Sequence, residues 1–185
     1  MTFASGSEIP VLVAGRCTLR PLLPSDAPAI ARHANDAAVV HNLFDGFPHP
    51  YTLAHAEAWC GPQHREPQWG HSFAIDVDGE AIGCLGITPQ TGSLACNAML
   101  GYWIGRAHWG RGIVVDGVRV ATSWAWAELP ALTRLFAPIF ARNVASQRVV
   151  QKAGYVREAL LPRSMIKDGV AIDVVQFASY RQERA

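Results

Sequence analysis

No run of 18 apolar residues occurs in this 185-residue chain, so no membrane-spanning helix is expected. Charge is scarce as well. Only 17% of residues are Asp, Glu, Lys or Arg, and the formal net charge is +1. A nucleic-acid domain would carry a strong basic excess, and a disordered chain would fall short of the 50% apolar content found here. The four cysteines, Cys17, Cys60, Cys84 and Cys96, contain no Cys-x-x-Cys, which argues against a zinc site. Cys84 and Cys96 fall on predicted strands and are expected to be buried thiols. The opening MTFASGSEIP lacks the basic region and apolar block of a secretion signal, so a reducing cytoplasm is the expected location. His41, His49 and His55 gather loosely, without a common ligand spacing, and no metal is expected. Two well-known phosphate loops are missing too: there is neither Gly-x-x-x-x-Gly-Lys-Ser/Thr nor Gly-x-Gly-x-x-Gly.

What is present is GYWIGRAHWGRG, Gly101 to Gly112. It reads as a strand running into a loop with glycines at 105, 110 and 112 and basic side chains at Arg106, His108 and Arg111. Glycine lets the backbone turn sharply and approach a ligand closely. Successive N–H groups, followed by the first turn of a helix, make an anion site. About 30 residues later comes ARNVASQRVVQKAGY, Ala141 to Tyr155. Asn143 is a good N-cap, Ala145, Val149 and Val150 supply an apolar face, and Lys152 and Gly154 close the helix. The arginines at 106, 111, 142 and 148 read as a local anion site.

The two motifs, in this order, resemble the Arg/Gln-x-x-Gly-x-Gly/Ala loop, here Arg106-x-x-x-Gly110-x-Gly112 and so shifted to put Ala107 or His108 near the usual first position, and the Asn-x-x-Ser-x-x-x-x-x-Lys-x-Gly-Phe/Tyr helix of the GNAT N-acetyltransferases, in their Rim-like branch. The strand CTLRPL, the segment FPHPYTLAHAEAWC and the closing GYVREALLPRSMIKDGVAIDVVQFASY extend the resemblance from Cys17 to Tyr180. It implies an α/β (α+β) GNAT fold: a mixed, mostly antiparallel central sheet of about six to seven strands flanked by about four helices. It also implies acetyl transfer from acetyl-CoA to a primary amine, of a protein N-terminus or of a small molecule. An antibiotic or polyamine acetyltransferase and a non-catalytic acyl-CoA-binding module are the alternatives. A second copy of the chain is an open partner; nucleic acid and membrane are not expected as partners.

By the same resemblance the coenzyme is held by Tyr102, Trp103, Ile104, Arg106, His108, Trp109, Gly110, Arg111, Gly112, Ile113, Asn143 and Ser146. A backbone N–H near Gly101 or Tyr102 faces the thioester oxygen, where it would stabilise developing negative charge. Asn143 reaches the pantetheine arm, and Ser146, at i+3 on the same helix face, donates to the leaving sulfur. Many family members carry a tyrosine four positions after that serine; here Val150 stands there. Glu158 and Asp173 are the candidate bases. Phe44, Phe47, Tyr51 and Trp59 either line the acceptor entrance or pack the core. Too few acidic side chains, Asp36, Asp45, Glu57 and Glu66, precede the loop to define a polycation pocket.

Local signals place residues 1–15 as a loosely ordered N-terminus and 16–185 as one domain, long enough to bury about 70% of its unfolded surface. Ser25 is expected to cap a first helix and Thr52 a second, and strands are expected at Trp69 to Val77, Ala81 to Thr88 and Ala95 to Ile104. Later strands are expected at Thr133 to Ile139, Val156 to Ser164 and Ile172 to Ser179. Asp78-Gly79 and Asp168-Gly169 signal hairpins. Val114 to Ala121, VVDGVRVA, is ambiguous: its Asp-Gly between β-branched residues suggests another hairpin. Val114, Val118, Ala121 and Ala125 lie at helical spacing, and the phosphate site needs a helix N-terminus, so a helix from about Arg111 to Glu128 is expected.

Overall fold

A computed structural model of the chain describes residues 9–62 and 70–182. In chain order it contains β1 (Leu12–Val13), β2 (Thr18–Pro21), α1 (Ala27–Ala34), α2 (Ala37–Val40), α3 (Leu53–Cys60), β3 (His71–Val77) and β4 (Glu80–Pro89). There follow β5 (Asn97–Ile104), α4 (Ile113–Glu128), β6 (Arg134–Phe140), α5 (Val144–Lys152), β7 (Val156–Lys167) and β8 (Val170–Tyr180). The hairpin signals are realised. Asp78 and Gly79, and Asp168 and Gly169, all have positive φ, as a two-residue turn matched to strand twist requires.

The eight strands form one sheet in the order β1-β2-β3-β4-β5-β6-β8-β7. Every neighbouring pair is antiparallel except β5 and β6. That one parallel pair requires a crossover, and α4 provides it. The expected fold class holds, with eight strands and five helices among the described residues rather than six to seven and about four. The surplus lies in very short elements: β1 is two residues that pair with Leu19 and Thr18, and α2 is four residues capped by the Asp36 carboxylate.

Alternating side chains divide the interior between the two faces of the sheet. Phe73, Ile75, Leu85 and Ile87 pack with Val118, Ala121 and Ala125 of α4 and with Val150 of α5. Ala74 and Cys84 point to the other face, against Ile30 and Ala34 of α1 and Ala56 of α3. The stripe Val114, Val118, Ala121, Ala125 is buried as helical spacing demands, so the ambiguous VVDGVRVA segment is helix. Tertiary burial of four apolar residues outweighs the local Asp-Gly turn preference. Asp116 instead accepts from Arg16 at 2.7 Å. Gly117 lies inside α4, and a methyl added there would sit 3.5 Å from Leu19 Cδ2 and 3.7 Å from Cys17 Sγ, ordinary contacts. Gly117→Ala is therefore expected to stabilise the fold by up to about 1 kcal/mol, raising Tm by roughly 2–4 °C. A thermal melt showing a lowered Tm would mean that α4 cannot take the methyl against β2.

Other expectations need correction. Ser25 does not cap α1. It lies inside a single 3-10 turn, Pro24–Asp26, and Asp26 is the organising residue: its carboxylate accepts from Leu23 N at 2.8 Å and pairs with Arg20 at 2.7 Å. Arg20 also bonds Asp76 at 2.8 Å, tying β2 to β3. Thr52 does cap α3, accepting from His55 N. Cys96 is exposed and precedes β5, whereas Cys17, Cys60 and Cys84 are buried. Burial pushes the Cys17 thiol up to about 11, with Asp116 adding to the effect. The loose N-terminus is broken by β1. Residues 1–8, Glu66 and the expected strand start at Trp69 lie outside the described residues. No described helix is long and apolar enough to cross a membrane.

Candidate active site

The sheet opens in its middle. Strands β5 and β6 pair over three positions only: Asn97 with Arg134, Ala98 with Leu135 and Met99 with Phe136. Beyond these, Leu100–Ile104 stays bonded to β4 and Ala137–Phe140 to β8. The facing backbone edges of Gly101 to Ile104 and Ala137 to Phe140 are thus separated from one another. An unpaired edge offers N–H and C=O groups to an extended ligand.

At the end of β5 the chain makes a 3-10 turn, Arg106–His108, and enters α4 through Gly110 and Gly112. Both glycines have positive φ, 75° and 76°, the left-handed region that L side chains adopt at a cost. Trp109 Nε1 donates to Ile104 O at 2.9 Å and pins the loop to the strand. Gly112 is the N-cap of α4 and no side chain caps it. Val115 N and Asp116 N donate to Gly112 O at 3.1 and 3.3 Å, which leaves the N–H groups of Ile113 and Val114 without an intrahelical acceptor at the positive end of a 16-residue helix. Arg106 and Arg111 are exposed beside them. His108 is half-buried, and its pKa is pushed down by burial and then by His33 and Arg111. Arg142 does not join this group. It donates to His41 O at 2.6 Å and lies over the Phe140 ring.

Helix α5 forms the other wall of the opening. Asn143 caps it, its Oδ1 accepting from Ser146 N at 3.2 Å. Val150 is fully buried beneath it, whereas Ala145, expected on the apolar face, is exposed. The hydroxyls of Tyr102 and Ser146 are 2.8 Å apart, and the Tyr102 hydroxyl also donates to Ser146 O at 3.1 Å. Burial raises the Tyr102 pKa. A phenol thus stands beside Ser146 even though Val150 occupies the family's usual tyrosine position. It comes from β5, 44 residues away in sequence. Sequence reading placed Tyr102 at the coenzyme but found no link between it and Ser146. The alternation of β5, with Tyr102 on the α4 face and Trp103 on the other, is the signal that was available.

On the opposite face, Trp103 meets Phe47 edge-on at 5.7 Å, and Phe44 leans on Phe140 at 5.7 Å. A cavity of about 460 Å³ adjoins them, bounded by Val40, His41, Asp45, Phe47, His49 and Lys167. Lys167, 6% exposed, is bound by Asp45 at 3.1 Å and Asp168 at 3.2 Å, and this joins the β7–β8 hairpin to the loop after α2. Phe47 lines this cavity and also packs, with Trp59, against the core under α1 and α3 in which Tyr51 is buried, whereas Phe44 leans on Phe140 outside the cavity lining.

Glu158 is not brought to the opening. Arg134 grips it through Nε, at 2.8 Å, and through Nη2, and the Tyr180 hydroxyl donates to it. Arg134 also bonds Asn97 at 3.0 Å, so the carboxylate belongs to the paired end of β5 and β6. The Arg134 pairing, helped by Tyr180, holds the Glu158 pKa below the usual carboxylate range. A depressed folded pKa contributes stability above the unfolded value, about 4.3, and that contribution is lost as pH falls through the folded value. Glu158→Gln is therefore expected to lower Tm at pH 7 and to flatten its dependence on pH below about 4.3, with kcat retained. A folded variant with kcat down a hundredfold, on the order expected for a lost base, would restore Glu158 as the base. Asp173 lies nearer the opening, its backbone bonded to Ala141 N. Its carboxylate accepts from Arg163 N at 2.9 Å, where Arg163 adopts a positive φ in the irregular part of β7. Both candidate bases thus have structural partners.

A mixed sheet that splits at its one parallel pair, with a glycine loop and a helix N-terminus on one side and a cavity on the other, is the arrangement expected of the GNAT fold. The family comparison agrees: residues 16–156 match the Acetyltransferase (GNAT) domain, and the chain belongs to that family of N-acetyltransferases. It is 32% identical to the probable N-acetyltransferase YjcK of Bacillus subtilis over 93 residues, a match spanning only about half of either chain (50% of this one and 51% of that one). It is 27% identical to the uncharacterised N-acetyltransferase YoaA of the same organism, over 89% of this chain and 93% of that one. Among solved structures, Mycobacterium smegmatis RimJ in complex with CoA-disulfide superposes with a TM-score of 0.80 at 24% identity, covering 93% of this chain and 88% of that one.

Proposed function

We propose that this acetyltransferase moves the acetyl group of acetyl-coenzyme A to a primary amine, with the coenzyme on the α4–α5 face and the amine entering from the α1–α3 face. The observation that carries this reading is the parting of β5 from β6 after Met99 and Phe136, with the uncapped α4 loop on one side and the cavity beside Phe47 on the other. RimJ, which shares the fold, is seen in complex with CoA-disulfide. The pyrophosphate lies on the N–H groups from Gly110 to Ile113, with Arg106 and Arg111 adding charge-assisted bonds. The pantetheine arm runs along the free edge of β5 past Asn143, whose amide nitrogen has no partner among the described residues.

The amine nitrogen attacks the thioester carbonyl, the new C–N bond forms, and the C–S bond breaks with its electron pair on sulfur. A backbone N–H near Gly101 or Tyr102 faces the developing oxyanion. Ser146 protonates the sulfur, and Tyr102 backs the serine. The attacking amine loses its proton to water. An α-amine with a pKa near 7.7–8.0 is roughly 10–20% neutral at pH 7, whereas a lysine near 10.4 is well below about 0.1%. A site without a dedicated base therefore suits an α-amine. Among the described residues the acidic side chains do not converge on a polycation pocket: Asp36 caps α2, Asp45 is paired with Lys167, and Glu57 is exposed on α3. The acceptor is accordingly a protein N-terminal amine or a small amine of low charge rather than a polyamine or aminoglycoside.

The test is thiol release from acetyl-coenzyme A in the presence of N-terminal peptides, polyamines and aminoglycosides. Turnover with peptides bearing a free α-amine is expected, and little with the polycations. Tight coenzyme binding without turnover on any amine would make the chain an acyl-coenzyme A-binding module and end the transfer reading.

A further inference from the structure

We propose that His33, Glu80 and His108 form a binding site for a divalent transition-metal ion of the zinc class. The three residues come from separate elements: His33 from the last turn of α1, Glu80 from the start of β4, and His108 from the turn before α4. One donor atom of each lies within 4.8 Å of the other two. His33 Nε2 is 2.6 Å from Glu80 Oε1, and the His33 and His108 rings meet edge-on with centroids 5.2 Å apart.

An ion pair explains only part of this arrangement. It uses His33 and Glu80, with Arg32 donating to the same carboxylate at 2.7 Å, and it leaves His108 out. His108 Nδ1 is buried and has no hydrogen-bond partner among the described residues. A buried polar nitrogen left unsatisfied is costly, so such groups call for an explanation. A shared cation bound through that nitrogen would supply one. His33 is also set tightly in place. A Cβ at Gly105 would lie 2.3 Å from its Nδ1, so only glycine there lets the ring rest on the loop backbone with Nε2 turned to Glu80.

The donor set selects the metal. Two imidazoles and a carboxylate suit zinc, copper or nickel, whereas magnesium and calcium take oxygen ligands. A tetrahedral zinc with bonds of about 2.0–2.2 Å holds its donors roughly 3.4 Å apart. The donors now lie from 2.6 Å apart, for His33 and Glu80, to at most 4.8 Å, and rotation of the Glu80 side chain, which is 45% exposed, opens the first contact as the set gathers around the ion. Three protein ligands leave a fourth position for water. The ion would join the phosphate loop to α1 and to the β3–β4 hairpin and so restrain the loop that holds His108.

Calorimetric titration of the tag-free, full-length chain with zinc chloride tests the site without any coenzyme or acceptor. One zinc per chain is expected, together with a rise in Tm and, with cobalt(II) as the probe, visible absorption bands of a low-coordinate site. His108→Ala and Glu80→Ala should each weaken zinc binding by at least the roughly 10- to 100-fold that loss of an outer-shell partner costs. His41→Ala/His49→Ala should leave it unchanged. Absence of zinc binding, or wild-type affinity in folded His108→Ala, would overturn the proposal. Should His108→Ala fail to fold, His33→Gln read by the cobalt spectrum decides in its place. Because the titration contains no acetyl-coenzyme A, its failure would not bear on the transfer reaction.

Discussion

Gly110→Asn is expected to bind acetyl-coenzyme A at least about tenfold more weakly than the unaltered protein while melting at nearly the same temperature. Gly110 has φ of 75°, and nothing lies within 4 Å of a Cβ built on it. The substitution therefore displaces no part of the protein. Asparagine is among the residues that tolerate the left-handed region, so the backbone keeps its course and the new side chain occupies only the space above the loop. If the pyrophosphate rests there, at least one charge-assisted hydrogen bond is lost. Such a bond is worth about 1.5–3 kcal/mol, or roughly a 10- to 100-fold change in Kd. Gly110→Val adds backbone strain of about 1–2 kcal/mol and should lower both affinity and Tm. The pair separates occlusion from strain, and calorimetry reads both. Unchanged coenzyme affinity in Gly110→Asn would remove the phosphate from this loop and with it the anchor of the proposed site.

What could be read from the chain alone was whatever short-range chemistry decides. Asp78-Gly79 and Asp168-Gly169 announced their hairpins because positive φ is a property of those residues. Thr52 announced α3 because its hydroxyl reaches an amide three residues on. The glycine loop and Asn143 were legible for the same reason. Local rules misled where distant partners decide. Asp26, not Ser25, organises the start of α1 because Arg20 and Asp76 arrive from two strands. β1 exists only because Thr18 and Leu19 pair with it. Glu158 stood at a position suggestive of catalysis, yet Arg134 and Tyr180, both more than 20 residues away, hold it at the paired end of the split strands. The strand expected from Ala95 begins only at Asn97, which leaves Cys96 just outside β5 and exposed. Strand alternation puts Tyr102 on the α4 face, but its meeting with Ser146 also depends on how far β5 parts from β6, which no local pattern encodes.

Ser146→Ala and Tyr102→Phe are each expected to lower kcat by about a hundredfold, the lower range for loss of a general acid, with little change in coenzyme Kd. The geometry explains why the two should behave as one. The Tyr102 hydroxyl carries a single proton and faces two acceptors, Ser146 O at 3.1 Å and Ser146 Oγ at 2.8 Å. Directed to Oγ, that proton frees the serine hydroxyl to donate to the departing sulfur. Directed to the carbonyl, it leaves the serine proton engaged by the phenol. Removing the phenol therefore disables the serine, and the double variant should be little worse than either single one, since residues acting as a unit are strongly non-additive. The pH dependence gives a second reading. A thiol of pKa near 8.5 needs no acid once it can leave as the thiolate, so the defect of both variants should shrink as pH rises past about 8.5. A purely structural role for Tyr102 would lower kcat equally at all pH values and would add to the serine defect. Full activity of Ser146→Ala at pH 7 would assign sulfur protonation to water and leave Tyr102 as a wall of the channel.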